Sequence, residues 1–412
     1  MYHKIEKIRA RQVLDSRGVP TVQAEVWCGQ HRATAIAPSG ASTGSFEAHE
    51  LRDGDMERYN GKGVERAVNF INTEIRDRLS FREVTNQKEI DRLLCEGDGT
   101  ENKSRYGANA ILAVSLAAAK CGAMVSGIPF YRYIGGCGAN DMPVPMLNVI
   151  NGGKHSDNGL DIQEFMIIPR RDDLPNMLER SVKVYNTLKT ILNEKGYSTS
   201  LGDEGGFAPK LKTNEEAIEI LLEAIEKAGF KGGEDFNIGL DVASTEFYNA
   251  ANDGGYTMPK TNKHFTGEEL CAYYTELIGK YPIISIEDPF AEEDWENWAS
   301  FTAKSNVITV GDDLFVTNKH RLEKGIEMQA ATAVLIKPNQ IGTLTETLET
   351  INRAKRAGYK VIVSHRSGET EDSSIADISV AVSADMIKSG APARGERTAK
   401  YNRLLEIYDD IR

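Results

Sequence analysis

Cysteine is scarce and scattered. The 412 residues hold five, Cys28, Cys95, Cys121, Cys137 and Cys271, and no two form a C-x-x-C pair. That spacing argues against a zinc site and against a disulfide framework, and it fits reduced thiols. Positive charge is also in short supply. Lys and Arg number 49 against 61 Asp and Glu, a formal net charge of -12, so sequence-blind nucleic-acid binding is not expected. An anion could be held only in a local cationic pocket. Low-complexity tracts and charge blocks are absent. The most apolar stretch, Ile111 to Val125, contains Lys120 and is shorter than the roughly 20 residues of a membrane span. The first ten residues, M-Y-H-K-I-E-K-I-R-A, lack an apolar core of signal-peptide length. The expectation is a cytoplasmic protein with neither membrane nor nucleic acid as partner.

What is present is the composition of a large globular chain, with length for two or three domains. V-P-T-V-Q-A-E-V-W, Val19 to Trp27, alternates and predicts a strand. A glycine- and serine-rich loop follows, A-P-S-G-A-S-T-G, Ala37 to Gly44, and helical patterns come after it. Strands before helices predict an α+β domain over residues 1–136. The boundary candidate is G-G-C-G-A-N-D-M-P-V-P, Gly135 to Pro145, with a second domain over 137–412.

From about residue 235 a rhythm sets in. Apolar runs end at Asp241, Glu287, Asp312, Lys337, His365 and Lys388, the last five spaced by roughly 25 residues, the length of a strand, a helix and two loops. Between them Leu344, Leu348 and Ile351 share one helical face, with Gly358 as a cap, and Ile375, Ile378 and Val382 share another. Upstream, Ile218, Leu221, Leu222 and Ile225 follow helical spacing between a capping candidate, Asn214, and Gly229. Such units predict parallel strands with right-handed crossovers. A closed barrel and an open doubly wound sheet both fit. Because every run ends in a polar residue, a barrel, which gathers strand ends at one mouth, is the favoured α/β fold.

Asp241, Glu287 and Asp312 would repel one another at one mouth unless a cation sat among them. Oxygen-only ligands suit a hard ion, most simply Mg²⁺. The next three ends, Lys337, His365 with Arg366, and Lys388, are cationic or protonatable. Lys337 would then face the metal with its pKa lowered, as a general base requires. Loops add further polar groups: Asp203 and Glu204 beside a Gly-Gly pair, His155 in N-G-G-K-H-S-D-N, and Gln163 and Glu164 in D-I-Q-E-F-M-I-I-P. Together they predict metal-assisted proton abstraction next to a carboxylate, with the enediolate stabilised by metal and cations. Glu204, by elimination, handles a leaving group. Arg366 and Ser367 suit a phosphate.

Several segments are long enough to be specific. L-D-S-R-G-V-P-T-V, P-S-G-A-S-T-G, D-G-T-E-N-K-S, G-D-E-G-G-F-A-P, S-I-E-D-P, I-K-P-N-Q-I-G-T and S-H-R-S-G-E-T-E-D resemble the enolase family, the glycolytic phosphopyruvate hydratases, over essentially the whole chain. Enolase-superfamily sites pair a Lys or His base with one or two Mg²⁺ ions. The resemblance implies reversible dehydration of 2-phosphoglycerate to phosphoenolpyruvate. It implies an α+β domain followed by a TIM-like barrel of enolase type, with two strands and two helices before the repeating units. By position Asp241, Glu287 and Asp312 match ligands of a first Mg²⁺. Ser42 matches the ligand of a second, which arrives with substrate, on a lid loop. Lys337 matches the base and Glu204 the acid, aided by Glu164. Gln163, His155, His365, Arg366, Ser367 and Lys388 match substrate-binding positions, His155 counting with the catalytic group as well. A homodimer, sometimes an octamer, is implied. Two other readings compete: a superfamily sugar-acid dehydratase or racemase, and a non-catalytic scaffold or receptor. The first lacks the S-H-R-S-G and P-S-G-A-S-T-G segments. The second should have lost the base or a metal ligand.

Overall fold

A computed structural model describes residues 3–41, 43–249 and 254–412. At the N-terminus, strands Lys7–Leu14, Pro20–Cys28 and His31–Ile36 form an antiparallel sheet in chain order. The first turn is set by Asp15, whose Oδ1 accepts from the backbone N–H of Arg17 and Val19, with Gly18 at a positive φ of 71°. Helix Ala108–Ser126 lies across the second and third strands. Its alanines let helix and sheet approach closely. At 19 residues this helix is long and apolar enough to cross a membrane, contrary to the expectation from its lysine, but 83% of its apolar window is buried inside the fold. Lys120 is accommodated by an ion pair with Asp372 Oδ2 at 2.8 Å.

The second unit is a closed barrel of eight strands. Six follow the rhythm read from the sequence: Phe236–Asp241, Ile283–Glu287, Ile308–Gly311, Ala333–Ile336, Lys360–Ser364 and Met386–Lys388. Each is parallel to the next. The barrel starts irregularly, with strands Val144–Asn151 and Glu164–Pro169 and then two consecutive helices, Leu174–Glu194 and Asn214–Lys227. Glu164–Pro169 runs antiparallel to both its neighbours. The last strand closes on the first, Lys388 pairing with Met146. Asp312, Lys337 and His365 each lie one residue beyond their strand. The second of the two early helices is capped by Thr213, whose side chain accepts from Glu216 N–H. Asn214 is not the cap. Its Oδ1 instead accepts from the N–H of Asp161 and Ile162. One turn of helix, Pro338–Ile341, follows Lys337 directly, with Pro at the first helical position, where no N–H is needed.

The two units are bolted together on one side of the barrel. Asp91 Oδ2 accepts from Thr345 N–H and hydroxyl at 2.9 and 2.6 Å, and Ser115 Oγ accepts from Leu344 N–H at 3.0 Å. Helix Phe130–Gly135 packs on helix Ser374–Ala381. The contact is so close that a Cβ on Gly135 would lie 2.1 Å from the Ala381 carbonyl oxygen. The docking holds the segment after His31–Ile36 over the barrel mouth, where Ser39 and Gly368 exchange two backbone hydrogen bonds of 2.8 Å. Gly135→Ala should therefore destabilise the chain by about 1–3 kcal/mol through overpacking. Gly138→Ala, whose Cβ meets nothing within 4 Å, should stay within about 0.5 kcal/mol. Unfolding measurements on the two variants check the pair.

Candidate active site

The parallel strands deliver their C-terminal residues to one mouth, and the reversed strand delivers its N-terminal one. Glu164 begins its strand and pairs in register with Asp241, so a chain running the wrong way places a carboxylate at the same rim. A cavity of only about 30 Å³ at this mouth is lined by His155, Gln163, Glu164, Glu204, Asp241, Asp312, Lys337, Ser364, His365, Arg366, Ser367 and Lys388. Of the residues expected from the sequence, Glu287 lies just behind the cavity, its side chain fully buried on Lys388. Ser42 falls outside the described residues.

The charges interleave rather than dividing into an acidic and a basic side. Lys388 Nζ donates to Asp241 Oδ2 at 2.9 Å and to both Glu287 oxygens at 2.9 and 3.0 Å, and it lies 3.0 Å from Glu164 Oε2. Lys337 Nζ hydrogen-bonds Asp312 Oδ2. Asp312 Oδ1 accepts from Gln340 at 2.8 Å. Asp288, held at φ 42°, accepts from the N–H of Asp312 and Asp313 at 2.9 Å each and so fixes the end of that strand. Glu204 sits on the loop between Leu201 and Phe207. Its Oε2 accepts from Asn148 Nδ2 at 3.0 Å and lies 3.4 Å from His365 Nε2. His155 Nδ1 lies 3.5 Å from Glu164 and 3.9 Å from Glu204. Arg366 forks onto Glu47 at 2.8 and 3.1 Å. Ser367 Oγ accepts from Ala41 N–H at 2.6 Å, so the chain leading to Ala41 is laid over the site.

These contacts set the proton affinities. Burial pushes Glu164 well above the ordinary carboxylate range, and neighbouring Glu204 pushes it further. Burial would raise Glu204 as well, but His365 and His155 outweigh it and hold Glu204 well below that range. Burial and Asp241 raise Glu287, and burial and Asp313 raise Asp288. Lys337 is a correction. Burial is the largest influence and works to lower it, as a base requires, but the carboxylates of Asp312 and Glu287 together prevail over burial and the nearby cations, and its pKa is raised. Burial lowers His365 to about 4, with Arg397 adding to the effect.

Several participants carried no sequence signal. Asn148 lies inside an apolar strand, Gln340 lies within the I-K-P-N-Q-I-G-T segment without a role read for it, and Glu47 lies three residues past P-S-G-A-S-T-G. Arg397 and Lys400 are the exception in principle: two cations on a helix, Gly395–Ile411, whose side chains are fully buried. Their helical spacing alone does not distinguish them from a solvated face.

The donor set suits a hard cation. Ligand atoms of Asp288, Asp312 and Asp313 lie within 4.8 Å of one another, as do those of His155, Glu164 and Glu204. Among the described residues, carboxylates at this mouth outnumber Lys337, Lys388 and Arg366. Burial and then one another's charge push the proton affinities of Glu164, Glu287, Asp288 and Asp313 upward, the condition that a multivalent cation relieves.

His365 gives a checkable pH dependence. Its folded pKa lies below its unfolded one, so its contribution to stability is complete above pH 6.5. That contribution is lost as pH falls towards 4, by about 3 kcal/mol. Comparing the pH dependence of unfolding for the wild type and His365→Gln isolates this term, and the variant's curve should be flatter between pH 6.5 and 4.

Comparison with protein-family models finds two matches. The enolase N-terminal domain matches residues 5–134, and the enolase C-terminal TIM barrel domain matches residues 139–412. Both the fold and the acid-rich mouth accord with a metal-using lyase. With nearly every residue covered, the chain belongs to the enolase family.

Proposed function

We propose that the chain catalyses the reversible Mg²⁺-dependent dehydration of 2-phosphoglycerate to phosphoenolpyruvate. One observation carries the reading: a half-buried lysine, Lys337, and a buried carboxylate pair whose proton affinities are pushed in opposite directions, Glu164 and Glu204, line one cavity together with Arg366. Removal of a proton α to a carboxylate and loss of a β-hydroxyl need a base and an acid at the same substrate. A phosphate needs a fork of donors such as Arg366.

Asp241, Glu287 and Asp312 would hold the first ion, and Asp288 and Asp313 extend the set of oxygens beside Asp312. Bound there, the ion supplies positive charge, which stabilises an enediolate and competes with Lys337 for Asp312. The protein's own residues account for the proton balance. Lys337 as free amine takes the proton from the carbon next to the carboxylate. The Glu164–Glu204 pair, in which Glu164 carries the proton, gives one to the departing hydroxide, which leaves as water. His155 Nδ1 lies beside both carboxylates, 3.5 Å from Glu164 and 3.9 Å from Glu204. Gln163 Oε1 is buried without a hydrogen-bond partner among the described residues, so a polar group of a substrate has an acceptor waiting. Lys388 keeps Asp241, Glu287 and Glu164 together.

The cavity has room for about two waters, so Ser39 and Ala41 must part from Gly368 and Ser367 before a three-carbon phosphate can enter. Burial of the reacting groups afterwards excludes water.

The test follows phosphoenolpyruvate formation by ultraviolet absorbance, with Mg²⁺ and with chelator. Wild-type turnover should require Mg²⁺. Lys337→Ala should lower kcat by at least about 10²–10⁴-fold while calorimetric titration still shows Mg²⁺ binding, since the substitution frees Asp312. A folded, Mg²⁺-binding wild type without turnover on 2-phosphoglycerate would overturn the proposal.

A further inference from the structure

Arg397 makes contacts that the reaction scheme does not use. It stands in the first turn of helix Gly395–Ile411 with its side chain fully buried. One guanidinium nitrogen lies 2.6 Å from His365 Nδ1 and donates to the Arg366 carbonyl at 2.6 Å. The other donates to the carbonyls of Ser367 and Asp203 at 2.6 and 3.0 Å. A single side chain thus holds the backbone on both sides of the cavity: the residues after His365, and the residue before Glu204.

A guanidinium has donors and no acceptor. His365 Nδ1 must therefore accept, and a neutral ring then carries its proton on Nε2. That nitrogen is buried without a hydrogen-bond partner among the described residues and faces Glu204 Oε2 at 3.4 Å. Gly390 packs closely against all three residues. A Cβ on Gly390 would lie 2.5 Å from the Glu204 carbonyl oxygen, 3.1 Å from Arg397 Cδ and 3.2 Å from His365 Cε1.

We infer that Arg397 is a positioning residue that locks His365 in its neutral Nε2–H tautomer and aims that N–H at Glu204. The aimed N–H helps keep Glu204 ionised while Glu164 holds the proton. The effect on turnover rests on the proposed dehydration. The tautomer does not.

The experiment uses the full chain labelled with ¹⁵N-histidine, with His365→Gln identifying the His365 signals. In the wild type, Nδ1 should be unprotonated and Nε2 protonated, as a single tautomer. The neutral amide in Arg397→Gln can donate or accept, so that variant should populate both tautomers. Its kcat should fall about tenfold or more with KM little changed. Arg397→Lys, which can also only donate, should keep the Nε2–H form. A protonated Nδ1 in the wild type overturns the inference. So does an Arg397→Gln chain that melts earlier yet keeps one tautomer and full kcat, the result expected of a merely structural residue. Should Arg397→Gln not fold, the wild-type spectrum and Arg397→Lys decide. A wild type inactive on 2-phosphoglycerate would remove the dehydration reading while the spectra still decide the tautomer.

Discussion

The ammonium of Lys388 is the contact on which the barrel mouth depends. Glu164, Asp241 and Glu287 are all buried, and burying carboxylates side by side is costly unless a cation is shared among them. Lys388 reaches all three at 2.9–3.0 Å. It sits at the end of the shortest barrel strand, Met386–Lys388, which is also the strand that closes the barrel on Val144–Asn151. Closure of the fold and neutralisation of the site are thus one structural event. An open sheet would carry Lys388 on an edge strand, without the barrel closure that brings it to these three acids. The reversed direction of Glu164–Pro169 belongs to the same constraint. Only a strand entering at the mouth can present its first residue there, and that residue is the third partner of Lys388.

Much of this was legible from residues alone because period and strand-end chemistry are local properties. The recurring runs from Phe236 onward set the parallel units, and the polar residue ending each run marked the mouth. Strand direction is not local. The run Glu164–Pro169 is as apolar as its parallel neighbours, and side-chain pattern is the same read either way along a strand. Cap identity failed for a related reason. Thr213 and Asn214 are both good capping residues, and the choice was made by Asp161 and Ile162, whose N–H groups needed the Asn214 amide. Arg397 and Asn148 were invisible because each acts through a residue distant in the chain.

The proton affinity of Lys337 shows where reasoning by neighbourhood stops. A list of strand ends places Lys337 among Arg366, Lys388 and three carboxylates without weighting them. In the folded chain the Asp312 carboxylate is in hydrogen-bond contact with Lys337 and Glu287 adds to its pull, so the sum changes sign. The same carboxylate is a candidate metal ligand. On the proposed reading, its occupation would decide both where positive charge sits and whether Lys337 can be a base, coupling metal binding to base strength through one side chain.

Most charged groups of the closed mouth are paired with one another. Arg366 has Glu47, Ser367 has the Ala41 N–H, Lys388 has three acids and Lys337 has Asp312. On the proposed reading, a phosphate that reaches Arg366 must exchange with Glu47, and a substrate that approaches Ser367 must exchange with the backbone laid over it. Binding is then a replacement of partners, charge for charge, and the net gain is far smaller than the strength of each new contact. Glu47 also accepts from Gln340, at 3.3 Å, and Gln340 in turn holds Asp312. Release of Glu47 by an incoming anion would loosen the far end of the chain that positions Asp312. Opening of the cover, arrival of the anion and freeing of the candidate metal ligand are in this way steps along one hydrogen-bonded path.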